Sequence, residues 1–316
     1  METNNLTLND ITFPIRSARV FAKLNEDSNG WLRIPGKNAL INNKSKFPIS
    51  VVSDGYEIIT NEEAYNYGKL CLQTLFGLRT DRSIKVFNII SPKTLSFCHI
   101  DLIAEKKGLP ILTKDRYIPF VRVTNSYNAM FKLSFRVGIC RNICLNGMIF
   151  GADSIRYSFI HNKGLRRNIN FDIKKDEFEH ILMNFKEDIQ VLLDNPIPDD
   201  YSYGIFCKAI GLKFNSNNDS DRDKKRNSKK FEQIEDYFYN RLTKYVNDVG
   251  NNFYALYNVI TELATYGFED EYKSTLWTNG RQIKAGVWLK SLAEILRKGN
   301  IDYREYLADY LELVEK

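Results

Sequence analysis

Cys140, Cys144 and His161 are the residues whose types could do chemistry most directly, because thiolates and an imidazole are zinc ligands. Their spacing argues against a metal. Closed zinc sites draw on two short ligand pairs, whereas positions 140 and 144 of one strand would stand roughly 13 Å apart. Both cysteines read as small buried thiols, and no metal or cofactor is expected. The other two histidines sit in no catalytic setting: His99 follows Cys98 in a strand and so points to the opposite face, and His180 lies in the charged helical run KKDEFEHILMNF. There is no Gly-x-Ser-x-Gly elbow and no glycine-rich phosphate loop of the common kinds. No catalytic residue is nominated, and an ordinary enzyme is not expected.

Charge is the more informative signal. Between residues 136 and 175 the cations Arg136, Arg141, Arg156, Lys163, Arg166, Arg167, Lys174 and Lys175 meet only Asp153 and Asp172, a local excess of six. Phe135, Phe150, Tyr157 and Phe159 lie among them. A basic groove with aromatic stacking platforms is what single-stranded nucleic acid requires. The same pattern also arises when one alternating strand pair turns its aromatics into the core and its arginines to water.

These residues must be positioned by a chain of 316 residues, long enough for one large domain or two smaller ones. Five scattered cysteines do not make a disulfide framework and are expected to be reduced. The N-terminus METNNLTLNDITFPIR lacks the basic and apolar regions of a signal peptide, and no stretch approaches the ~20 apolar residues of a membrane span. A cytoplasmic protein is expected. The net charge of +6, from 45 basic and 39 acidic residues, is too mild to decide a partner by itself.

The pattern predicts an α+β fold: an N-terminal antiparallel sheet with hairpins and one early helix over residues 1–170, then a mostly helical region over 171–316. Residues 48–60 predict a hairpin about Asp54-Gly55, and Asn61 offers a cap to a helix running to about Phe76. Strand-like runs follow at 84–90, 95–103, 118–123, 130–139 and 155–160, with a hairpin turn at Asn146-Gly147. From Phe178 the apolar period becomes 3.6, and helices are predicted over 178–193, 231–248, 251–266, 281–298 and 302–315. The run NSNNDSDRDKKRNSKK at 215–230 holds no apolar residue and is predicted to be a polar flexible loop.

Three short stretches, in order, resemble a family. Val51 to Tyr56 leading into Asn61-Glu62-Glu63-Ala64, then Val123-Thr124-Asn125-Ser126-Tyr127-Asn128, then Arg141 to Met148 (RNICLNGM) are similar to the phage/plasmid-like proteins carrying the domain of unknown function nine-three-two. The resemblance spans about residues 45–165. Asn125, Ser126, Tyr127, Arg141, Cys144, Asn146 and Gly147 are its motif residues, and Ala129 stands where the family has glycine, which marks the turn after Asn128 as a place of difference. It implies a mobile-element context and no particular reaction.

Two functions follow as expectations. One is a non-enzymatic accessory protein of a phage or plasmid that binds nucleic acid, single-stranded DNA of the annealing type, through Arg136, Arg141, Arg156, Lys163, Arg166, Arg167 and Lys174. The other is a counter-defence protein that inhibits a host immune complex by protein–protein binding, with Tyr237, Tyr239, Tyr245, Tyr254 and Tyr257 as interface anchors. A homo-oligomer is compatible with either, and no membrane partner is expected. Were the chain an enzyme instead, Asn125, Tyr127, Arg141, Cys144 and Asn146 would be the places to look.

Overall fold

A computed structural model describes residues 6–23, 30–78, 83–105, 109–110, 116–141, 147–149, 155–172, 175–212, 221–267, 275–299 and 301–313. It is α+β, with antiparallel sheets and an early helix followed by a mostly helical region. The chain divides into two compact units. One holds Met1–Leu109, Tyr117–Cys140 and Ser154–Phe178; the other holds Pro110–Arg116, Arg141–Asp153 and Glu179–Lys316.

The first unit begins with a short helix, α1 (Leu8–Ile11), and three strands, β1 (Ile15–Lys23), β2 (Trp31–Asn42) and β3 (Pro48–Ser53), in the antiparallel order β1-β2-β3. The expected hairpin at 48–60 is only half a strand pair. β3 pairs backward with β2, and residues 56–60 belong to no strand and lead to the helix. The root of this sheet is buried: Leu40 and Val52 pack with Phe13 and Tyr127.

Thr60, rather than Asn61, caps the early helix α2 (Asn61–Phe76). Its hydroxyl accepts from the Glu63 N–H at 3.1 Å while its own N–H donates to the Glu63 carboxylate at 2.8 Å, a reciprocal capping box. The buried face of α2 carries Ala64, Gly68, Cys71, Leu72 and Leu75. Gly68 sets the approach to the sheet, because a Cβ there would lie 2.8 Å from Leu102 Cδ1 and closer still to Val123 Cγ2.

That larger sheet contains β4 (Ile84–Ile90), β5 (Phe97–Ala104), a two-residue β6 (Leu109–Pro110), β7 (Arg116–Ser126), β8 (Leu133–Arg141), a short β9 (Gly147–Ile149) and β10 (Arg156–Phe159). Its hydrogen-bonded path runs β10-β8-β7-β5-β4. Every side chain of β5 is buried, which means both faces of this strand are covered. One face carries Leu102 and Val123 against α2. The opposite face carries polar groups.

After α3 (Leu165–Asn168), α4 (Lys175–Asp194) begins the helical region, with α5 (Ser202–Ile210), α6 (Asp221–Val249), α7 (Phe253–Tyr266), α8 (Thr275–Lys298) and α9 (Tyr303–Tyr306) behind it. α7 packs against both α6 and α8. Of the apolar residues at helical spacing, Ile234, Phe238 and Tyr245 in α6 and Trp288, Leu292 and Leu296 in α8 are buried, while Leu242 and Ile295 are half-buried. Residues 221–230, expected to be part of a flexible loop, are the first turns of α6. Asp221 and Asp223 in the first turn suit the positive field of a helix N-terminus, and the lysines and arginines that follow have good helix propensity, so a helix can form over a run with no apolar residue in its sequence. Residues 213–220 lie outside the described residues. Among the described residues no helix is long and apolar enough to cross a membrane.

Candidate functional site

The Asn-Ser-Tyr motif is a buried joint. Asn125 Nδ2 donates to the Ile59 carbonyl at 2.9 Å and to Asn61 Oδ1 at 2.8 Å, and the Tyr127 hydroxyl accepts from the Asn61 N–H at 2.8 Å. Asn61 in turn donates to the Ile11 carbonyl at 2.9 Å, and the Cys98 thiol donates to its Oδ1 at 3.2 Å. Ser126 receives the Tyr56 hydroxyl on its carbonyl at 2.5 Å and turns its own hydroxyl to Asn128 Oδ1 at 2.8 Å. All three motif side chains are buried. Their work is to tie the start of α2 to the end of β7.

The described cations of the basic segment divide between two sides of the sheet. Arg166 on α3 donates to Glu57 at 2.5 Å, to Glu63 at 2.9 Å and to the Ile58 carbonyl at 2.8 Å. Burial pushes the Glu57 and Glu63 carboxyls up, but Arg166 and backbone N–H donors outweigh it and hold both below their ordinary values. This places Arg166 beside α2, on the Leu102 and Val123 side of the sheet. Arg136 and Arg156 leave the other side. Lys163 and Arg167 are exposed near Arg166. The side chain of Arg141, and Lys174, Cys144 and Asn146 with the expected turn, lie outside the described residues; Gly147 opens β9.

Of the described aromatics among these cations, Phe135 and Tyr157 are core and Phe159 is half-buried. Phe135 is fully buried and meets Phe171 edge-on at 5.0 Å, while the Tyr157 hydroxyl donates to the Phe171 carbonyl at 2.6 Å. They offer no stacking platform, because strand alternation turns them inward as it turns the arginines outward. Phe150 lies outside the described residues. The helix tyrosines behave similarly: Tyr245, Tyr254 and Tyr257 are buried, and of the proposed anchors Tyr239 is the one with large exposure.

The polar sheet face was not singled out by sequence. In register, His99 of β5 stands opposite Thr124 of β7, and Asp101 opposite Arg122. Arg122 grips Asp101 with two hydrogen bonds of 2.7 and 2.6 Å, and both side chains are essentially inaccessible. A buried bidentate pair of this kind is held together by its own two charge-assisted hydrogen bonds. Next along the sheet, Arg136 of β8 stands opposite Arg156 of β10, and Ser134 opposite Ser158. Among the described residues neither of these arginines has a carboxylate partner. Burial first, then the fields of Arg156 and Arg122, lower Arg136 to about 10. The period-two pairs His99-x-Asp101 and Arg122-x-Thr124 were the available signal.

His99 completes this face. Its Nδ1 lies 2.7 Å from the Thr124 hydroxyl, while its buried Nε2 has no hydrogen-bond partner. Burial, then the fields of Arg122 and Arg136, push its pKa down to about 3, so it is neutral near pH 7. Half-buried Phe131 packs at 4.9 Å from Phe97 and 5.8 Å from the His99 ring. A double cation beside hydroxyls and an apolar ring can hold an oxyanion.

The described cysteines are poor nucleophiles by position. Cys71, Cys98, Cys140 and Cys207 are buried and outside any disulfide. Burial raises the Cys71 thiol strongly and pushes Cys98 and Cys207 up to about 12. Among the described residues no group of three or more His, Cys, Asp or Glu side chains is arranged to hold a metal.

No curated protein and no solved structure matches this chain. The family match, in contrast, runs from β3 through α7 and so takes in much of the helical region as well as the motif-bearing sheet. Covering residues 48–269, it makes the chain a member of the family defined by the domain of unknown function DUF932.

Proposed function

We propose that this chain binds nucleic acid, single-stranded DNA of the annealing type, and that phosphates settle on the polar sheet face at Arg136 and Arg156. One observation carries the proposal. Two guanidinium groups directly opposite each other, with no carboxylate partner among the described residues, form a site of unbalanced positive charge. Like charges in that relation repel, and a bound anion relieves them. Ser134 and Ser158 add hydroxyls beside the pair, and Phe131 adds a ring edge against which a base can lie. A phosphate next to an aromatic contact is what a nucleotide chain presents.

The proposed setting is an accessory protein of a phage or plasmid, supported by the order of the three sequence motifs. A binding role without turnover is supported by the buried thiols and the neutral, enclosed His99.

Fluorescence anisotropy with labelled single-stranded DNA tests the proposal. Affinity should fall steeply with salt, and the double variant R136E/R156E should weaken binding and reduce the salt slope by roughly 1.4, the loss of two phosphate contacts. K163E/R167E, which reverses two exposed charges near Arg166, serves as a charge-matched control away from this face. Salt-independent binding, no binding, or an equal response to both variants would reject the assignment.

A further inference from the structure

The outer part of the β1–β2 ribbon carries an arrangement that the first unit's core does not use. Phe21 stands directly opposite Arg33, and Lys23 directly opposite Trp31. One residue lies between the pairs along each strand, so all four side chains leave the same face and each ring neighbours a cation. Trp31 is 63% exposed and Phe21 is 49% exposed, while Leu32, on the other face, is 57% exposed. β2 is exposed from Trp31 through Lys37, before the buried root at Leu40. Aromatic rings left this open are not explained by the packing of their own unit.

We propose that this ribbon face is a second contact for single-stranded nucleic acid, with bases stacking on Trp31 and Phe21 and phosphate meeting Arg33. It rests on the proposed nucleic-acid function and adds a separate surface to it. The occupant is argued from charge. The described strands β1 and β2 carry Arg16, Arg19, Lys23, Arg33 and Lys37 and no aspartate or glutamate, and the carboxylates of Glu26 and Asp27 fall in the connection outside the described residues. A second copy of the same ribbon would set cations against cations. A polyanion suits them, and a single strand alone offers unpaired base faces to the rings. Phe21 and Trp31 are diagonal neighbours about 7–8 Å apart at Cα, which gives each ring room for its own base.

The experiment uses the full chain and an oligothymidylate of about 30 nucleotides, followed by anisotropy and tryptophan fluorescence. Both rings are exposed, so F21A/W31A should keep the wild-type melting temperature, and W31F provides a conservative control. The expected result is a loss of roughly tenfold or more in F21A/W31A, near-wild-type affinity in W31F, and quenching of wild-type emission on binding that W31F reduces. Unchanged affinity in F21A/W31A, while R136E/R156E weakens binding, would overturn the ribbon and leave the sheet face standing. The reverse pattern would overturn the sheet face alone, and absence of wild-type binding would overturn both. A change in sedimentation mass in F21A/W31A with unaltered DNA affinity would make the ribbon a contact between copies and also overturn the proposal.

Discussion

Arg136 on β8 and Arg156 on β10 stand directly opposite each other in antiparallel register, so their guanidinium groups leave the same face of the sheet. Stability and binding should therefore respond to them with opposite signs. Removing one charge, as in R156Q, relieves a like-charge contact worth about 0.2–1 kcal/mol and should raise the urea midpoint at low salt. The same substitution should weaken binding of single-stranded DNA. Equilibrium unfolding and anisotropy on one preparation check both. A variant that loses stability together with affinity would show that the pair is structural.

His99 makes stability depend on pH in a defined window. Buried and held neutral, it has a folded pKa near 3, whereas the unfolded chain takes up a proton near pH 6.5. Below 6.5 the unfolded state binds more protons, so stability is full above that value and falls as pH drops toward 3. The slope reaches up to about 1.4 kcal/mol per pH unit. Burial lowers His161 in the same direction, so a second contribution of the same sign is expected. Urea midpoints between pH 7 and 5 isolate the histidines, because Glu57 and Glu63 contribute only below their ordinary range. H99Q should flatten the curve, and an unchanged slope would show that His99 titrates normally.

Strand and helix periodicity made much of this fold legible: β4 at 84–90, the sheet strands after it, α2, and the buried stripes of α6 and α8 follow from periods of two and 3.6. Three things escaped it for physical reasons. β1 and β2 are long but mostly exposed, so they lack the alternation that burial imposes on a strand. The first turns of α6 are held by propensity and helix-end electrostatics, which leave no apolar stripe to count. Most of all, the candidate site depends on which strands become neighbours. Arg136 and Arg166 look alike in a charge count, yet one opposes another arginine and the other is bound by two glutamates.

Ala129 holds φ at 59°, in the left-handed region that favours glycine. The turn is enforced by its surroundings: the Met130 N–H donates to Asn128 Oδ1 at 3.1 Å and to the Ser126 hydroxyl at 3.2 Å. An alanine there is strained by roughly 1–2 kcal/mol, partly offset by the lower unfolded-state entropy of alanine relative to glycine. A129G should therefore raise stability by about 0.5–1 kcal/mol. A lower unfolding midpoint in A129G would mean that the positive φ is not retained.

Gly68 joins helix propensity to packing, and the two oppose each other. In an isolated helix, replacing glycine by alanine gains about 1 kcal/mol. Here the added Cβ would meet Leu102 Cδ1 at 2.8 Å and come closer still to Val123 Cγ2, both on fully buried side chains. Val123 is β-branched and stiff about χ1, so it yields only if α2 or β7 shifts, and overpacking of this kind costs about 1–3 kcal/mol. Packing should win, and G68A should be less stable than the wild type. The assignment of the clash to Val123 has its own check. V123A alone leaves a cavity and destabilises, but in the G68A background the new methyl occupies part of that space. The double variant should then be more stable than the sum of the single effects by about 1 kcal/mol, a coupling that unfolding midpoints of the four proteins measure directly. Strict additivity would mean that α2 moves away from the sheet as a body, and that Gly68 does not set its distance.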